Sequence, residues 1–226
     1  MAEIFQNKRL AAHSIKPYYS ALIGMFAFLY LSIVHAEPAF QFHTLDKQQG
    51  LASSVVYDIA QDGDGFIWFA TEDGLQKYDG FDFTDYRHSR LDDHSISSNI
   101  VRSLLVDSKD QLWIGTNNGL NIYTKTQNKF RKIDKVLGSE VRMTQQVLDI
   151  FETKNKEVWV GTSKGLNRIL NNNIIANYPI GKVRSILEDD NNNLWVGTLD
   201  SGLYLFDVNR NTFKSISVKN YNYSKH

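Results

Sequence analysis

The 226-residue chain contains no cysteine. That excludes disulfides and cysteine-ligated zinc, and it leaves the redox compartment open. A charge surplus is missing too, since 25 Lys and Arg balance 25 Asp and Glu. Nothing in that total points to a nucleic-acid partner. No stretch carries a sustained helical period, so one all-β domain fits the length. The longest apolar stretch, Ala21 to Val34, has 14 residues. A membrane-spanning helix needs about 20.

Signatures of chemistry are also lacking. There is no G-x-S-x-G nucleophile elbow and no glycine-rich phosphate loop. The six histidines are His13, His35, His43, His88, His94 and His226. His88 and His94 share a loop, but no carboxylate-plus-His spacing suited to a metal accompanies them. Asp62-Gly63-Asp64-Gly65 has the start of a calcium loop without its further oxygen ligands or closing Glu. No catalytic residue, cofactor or metal ligand is therefore assigned, and the chain is read as non-enzymatic.

What the chain does have is a repeat. Trp113-Ile114-Gly115-Thr116-Asn117-Asn118-Gly119-Leu120 returns as Trp159-Val160-Gly161-Thr162-Ser163-Lys164-Gly165-Leu166. It returns again from Trp195 through Gly197 to Gly202-Leu203 with one residue inserted, and an earlier copy runs from Trp68 through Gly74 to Leu75. All four tryptophans lie in copies, at steps of 45, 46 and 36 residues (68 to 113, 113 to 159, 159 to 195). Six residues before each Trp stand Asp62, Asp107, Thr153 and Asp189. Each unit thus reads as an apolar run, an Asp-led turn, a run centred on Trp, a turn ending in Gly, and further runs. The runs are short and rich in Val, Ile, Tyr and Trp, which favours strands. A unit of about 40 residues with four short strands is a propeller blade.

Architecture accounts for the signature residues. Trp68, Trp113, Trp159 and Trp195 fill the space between stacked sheets, each indole N–H needing one partner. Gly115, Gly161 and Gly197 remove a side chain where sheets approach, and Gly74, Gly119, Gly165 and Gly202 supply positive φ in a turn. The expected fold is four four-stranded antiparallel blades, an incomplete propeller, following an export segment. Residues 1–36 read as a signal peptide or an N-terminal anchor, with Lys8, Arg9 and Lys16 before the apolar stretch and Val34-His35-Ala36 before the expected cut. Residues 37–53 form a lead-in, with a strand over 40–45 that completes a last blade. The blades then occupy 54–98, 99–144, 145–181 and 182–226, the last including the start of a linker.

The pattern V-x-x-I-x-x-D-x-x-G-x-x-W-x-G-T-x-x-G-L resembles the two-component regulator propeller repeat. The opening Phe42-His43-Thr44-Leu45 through Gly50-Leu51, and Tyr78-Asp79-Gly80-Phe81, resemble the start of that family's first blade. Ala70 for Gly, Thr153 for Asp and the extra residue before Gly202 are the departures. The resemblance implies a periplasmic sensor domain of a histidine kinase or diguanylate cyclase. On that reading the chain is the N-terminal fragment of a membrane-attached receptor. Its partners are then a small-molecule or oligosaccharide signal, the missing propeller, membrane and output segments, and a second copy in a homodimer. A self-contained four-bladed protein, an exported lyase or glycosidase, and a secreted scaffold stand as alternatives.

A propeller's ligand surface is the face carrying the turns after the Trp run. That face is expected to display Glu72, Asp73, Asn117, Asn118, Ser163, Lys164 and Asp200. Tyr57, Arg102 and Arg184 share one position, eleven residues before a Trp, and the two arginines suit an anionic ligand such as an acidic sugar.

Overall fold

The computed structural model describes residues 44–135, 143–207 and 209–216. The export segment over 1–36 and the tail over 221–226 lie outside them, as does most of the strand expected over 40–45. Within the compact unit Leu45–His226, four antiparallel sheets follow in chain order. Blade 1 is β1 (Val56–Gln61), β2 (Ile67–Thr71), β3 (Gly74–Tyr78) and β4 (Phe83–Tyr86). Blade 2 is β5 (Val101–Val106), β6 (Leu112–Thr116), β7 (Gly119–Thr124) and β8 (Lys129–Ile133). Blade 3 is β9 (Val147–Glu152), β10 (Val158–Thr162), β11 (Gly165–Leu170) and β12 (Asn173–Tyr178). Blade 4 is β13 (Val183–Glu188), β14 (Leu194–Thr198), β15 (Leu203–Asp207) and β16 (Thr212–Ile216). The first strands β1, β5, β9 and β13 touch one another in that order, so they form the inner edge.

The hairpin joining the first two strands is set by one carboxylate. Asp107 Oδ2 accepts the Trp113 indole N–H at 2.8 Å, while its Oδ1 accepts the backbone N–H groups of Lys109 and Gln111, each at 2.9 Å. Asp62 holds Trp68, Asp64 and Phe66 in the same way, and Asp189 holds Trp195, Asn191 and Asn193. The fourth residue of each turn is left-handed: Gly65, Asp110, Lys156 and Asn192 have φ of 90°, 60°, 67° and 62°. A three-residue loop of this kind fits the twist of the strands it joins.

Trp68, Trp113 and Trp159 are platforms for the next sheet, Trp159 without the clamp because Thr153 stands at the Asp position. Trp68 stacks on Tyr86 of its own outer strand and meets Tyr123 of blade 2 at 4.9 Å. Trp159 stacks on Tyr178 and meets Phe206 of blade 4 at 5.1 Å. Trp113 shares its cluster with Ile169 and Ile174 of blade 3. These three indoles are fully buried, while Trp195 is only half-buried. The glycine two residues after Trp allows the approach. A Cβ on Gly161 would come within 2.6 Å of Val183 Cγ1, and one on Gly115 within 2.5 Å of Val147 Cγ1. The lead-in is pinned to blade 1 by buried Gln76, which accepts from Ala52 N and donates to the Gly50 carbonyl.

Two outcomes follow from the carboxylate clamp. Asp107→Ala strands a buried indole donor, a loss of about 1–3 kcal/mol. In a chain of this size that lowers Tm by about 2–4 °C per kcal/mol in a thermal melt; an unchanged Tm would contradict the clamp. Asp189 has its pKa lowered from 3.8 to about 2, chiefly by the Trp195 indole and then by the Asn193 side-chain and backbone N–H groups. A folded value below the unfolded one stabilises above about pH 4, and that stabilisation fades as pH falls towards 2. The Tm gap between wild type and Asp189→Asn should therefore persist from neutral pH to about 4 and close by about 2, as read from melts across a pH series.

Candidate functional site

At the opposite end of the strands from the Asp hairpins, every inner strand breaks register at the same place. Val56 pairs with Thr71 and Asp58 with Ala70, which leaves Tyr57 unpaired. Arg102, Leu148 and Arg184 are skipped in the same way in β5, β9 and β13. A bulge adds a residue on one strand only, bends it and re-aims a side chain. Here four aligned bulges aim Tyr57, Arg102, Leu148 and Arg184 into one cleft of about 290 Å³, completed by Gln146, Lys182 and Leu199.

The cleft is cationic. The Arg102 guanidinium lies 4.7 Å from the centre of the Tyr57 ring. Its Nε donates to Asn117 Oδ1 at 2.5 Å, and Gln146 Nε2 donates to the same oxygen at 2.7 Å. Asn117 therefore orients Arg102 while leaving its terminal N–H groups available. Lys182 and Arg184 stand beside it, and none of the three cations is in a salt bridge among the described residues.

The two nearest carboxylates on the inner strands are committed elsewhere. Asp58 Oδ2 accepts from Leu104 N at 2.8 Å, and Asp149 Oδ2 accepts from Ile186 N at 2.7 Å, each tying its blade to the next. Their other oxygens accept from Ile59 N and Ile150 N. Burial raises the Asp149 pKa, with the Asp58 charge adding a little; the bound backbone N–H groups and Arg184 oppose it. Neither carboxylate closes an ion pair with the cleft arginines.

The turn residues divide. Asn117 supports the cleft from behind, accepting from its lining residues Arg102 and Gln146. Asp200 borders it, accepting from the Lys182 backbone N–H at 3.0 Å and from the Ser201 hydroxyl. Asn118 instead lines a second cavity of about 190 Å³ with His88, Ser97 and Lys132. Asp73 is paired with Arg87 at 3.0 Å on the surface. Glu72, Ser163 and Lys164 sit in their turns, bonded through backbone N–H groups to Val55 O, Gln146 O and Thr162 Oγ1. Gln146, Lys182, Leu148 and Leu199 went unassigned in the sequence. Three of them were within reach of the spacing rule. Leu148 shares the position of Tyr57, Arg102 and Arg184, and Gln146 and Lys182 both stand thirteen residues before a Trp.

Fold and cleft together define a β-propeller protein that presents a cationic cleft at its inner edge. Its repeats are two-component regulator propeller repeats: the Two component regulator propeller model matches residues 50–73, 95–118 and 177–200. The matched segments carry Asp62, Asp107 and Asp189, and the copy with Thr153 lies outside them. A curated relative, Histidine kinase P4 of Formosa agariphila, is 30% identical over 251 residues, covering 84% of this chain and 18% of the relative. The chain thus spans under a fifth of that relative's length. The extracellular domain of a hybrid two-component system of B. thetaiotaomicron superposes with a TM-score of 0.61 at 22% identity, over 72% of this chain and 25% of the other. Virginiamycin B lyase of Staphylococcus aureus superposes with a TM-score of 0.57 at 16% identity, over 75% and 58%. Similarity at these identities is similarity of fold.

Proposed function

We propose that this chain is the signal-reading part of a periplasmic receptor, and that its signal is an anionic small molecule or acidic oligosaccharide. The observation that carries the reading is the cleft at the aligned bulges. Arg102 lies against the Tyr57 ring there, Lys182 and Arg184 line the same cleft, none of the three closes a salt bridge among the described residues, and Tyr57, Arg102 and Arg184 sit on strands. A planar guanidinium oriented by Asn117 suits a carboxylate or sulfate, and Tyr57 offers an apolar face for a sugar ring. The similarity to a histidine kinase and to an extracellular two-component domain supports a signalling role for the parent protein. The further propeller, membrane and output segments of that receptor, and a homodimer that transmits the signal, belong to the same proposal.

The mechanism follows from where the cleft lies. Its lining comes from all four blades, so one ligand bridges them and favours the blade arrangement that grips it better. The resulting shift can be no larger than the ligand's difference in affinity between the two arrangements. The lining residues Tyr57, Arg102, Gln146, Leu148, Lys182, Arg184 and Leu199 hold no carboxylate pair and no histidine. That composition favours binding over the exported-enzyme reading.

Calorimetric titration with acidic and neutral oligosaccharides tests this. Hydrogen bonds to charged groups contribute roughly 1.5–3 kcal/mol each. The double variant Arg102→Ala, Arg184→Ala should therefore lose at least about tenfold in affinity for an acidic sugar at unchanged Tm, while Asp73→Ala binds as wild type. Equal affinity in the double variant, or preference for neutral sugars, would contradict the assignment.

A further inference from the structure

The four bulge residues of the cleft differ in chemistry, and their order along the inner edge discriminates among anions. From blade 1 to blade 4 they read Tyr57, Arg102, Leu148 and Arg184. The two guanidinium groups therefore belong to blades 2 and 4, and the residue between them is apolar. β5 touches β9 and β9 touches β13, so the Leu148 strand separates the two arginine strands. Leu148 is 8% exposed and forms a floor, whereas Arg102 is half-buried and Arg184 exposed.

Arg102 is held on its own side of that floor. Its guanidinium lies 4.7 Å from the centre of the Tyr57 ring, on blade 1 and away from blade 4. Its Nε donates to Asn117 Oδ1, which also accepts from Gln146 Nε2. A planar guanidinium with a ring against it and an amide at Nε has its direction fixed, and it offers its Nη groups. Arg184 has different company, since Lys182 and Leu199 line the same wall of the cleft. The carboxylates near that wall are engaged. Asp149 accepts from Ile150 N and Ile186 N, and Asp200 Oδ1 accepts from Lys182 N and the Ser201 hydroxyl. The cleft thus has two cationic poles across an apolar floor, one fixed beside Tyr57 and one formed by Arg184 and Lys182. A carboxylate pairs with one guanidinium fork at a time, so a single carboxylate fills one pole and leaves the other empty.

We infer that the cleft selects ligands with two acidic groups, one at each end of a body with an apolar face, over ligands with one. The inference rests on the reading of the cleft as an anion site and narrows its ligand class. Among acidic sugars, a disaccharide of two uronic acids is the smallest with this layout. One carboxylate accepts from the Nη groups of Arg102, with its sugar ring beside Tyr57. The other accepts from Arg184, with Lys182 alongside, and the apolar face between them covers Leu148. A cleft of about 290 Å³ lies at the lower end of small-molecule sites and suits a short two-headed ligand.

Calorimetric titration of the full chain with two matched pairs tests this: digalacturonate against its monomethyl ester, and suberate against monomethyl suberate, all at one ionic strength. Each ester removes one negative charge and keeps the body of the ligand. A hydrogen-bonded charge at the second pole should make each diacid bind at least about tenfold tighter than its monoester. Arg102→Ala and Arg184→Ala should each lower diacid affinity to about the monoester level and erase the difference within a pair. Equal binding of diacid and monoester by the wild type would overturn the two-pole inference while leaving the anion site standing. A diacid preference that survives in Arg184→Ala would overturn it as well. Absence of binding by all four compounds would overturn both this inference and the anion reading it rests on.

Discussion

Three carboxylates determine how this chain packs. Each of Asp62, Asp107 and Asp189 receives an indole N–H and two turn N–H groups at once, so one side chain closes a hairpin and orients a tryptophan. The orientation matters beyond its own blade. The indole ring of Trp68 is the surface on which the following sheet lays its third and fourth strands, through Tyr123 and Phe130; Trp159 receives Phe206 and Phe213 in the same way without a carboxylate to hold it. Gly115 and Gly161, two residues after their tryptophans, then let the neighbouring inner strand close in. In blades 1 and 2 local hydrogen bonding at one end of the strands thereby orients the indole on which the next sheet packs.

That packing makes the other end of the strands useful. With the sheets held at their hairpins, a bulge repeated in all four inner strands delivers side chains to a common cleft. Strand positions hold side chains more rigidly than loop tips, and Asn117 adds a hydrogen bond that aims Arg102. Asp58 and Asp149 tie inner strands to their neighbours through backbone N–H groups instead of neutralising the arginines. The positive character of the cleft therefore arises from where the carboxylates are spent as well as from the arginines themselves.

The blades were legible because the clamp is written in side-chain identity at fixed spacing: Asp, then Trp six residues later, then two glycines. The left-handed φ at Gly74, Gly119, Gly165 and Gly202 was legible for the same reason. The bulges were not, because a register shift leaves no change in the count of residues between Asp and Trp. Leu148 concealed the fourth member of the quartet, since an apolar residue in an inner strand reads as core. The seven turn residues look alike in sequence, yet Asn117 bonds to the cleft residues Arg102 and Gln146 while Asn118 lines the other cavity, because adjacent residues in a tight turn face apart. Thr153 read as a harmless departure; its consequence lies in an indole N–H that only atomic positions reveal.

The central claim is that the bulges at the starts of β1, β5, β9 and β13 form one ligand-reading surface. Hydrogen exchange measured by mass spectrometry, with and without an acidic oligosaccharide that binds the full chain, tests it most directly. Protection should appear together in the peptides that begin all four inner strands and in the turn carrying Asn117. Protection confined to the surface turns of Glu72, Asp73, Ser163 and Lys164, with the inner strands unchanged, would contradict it.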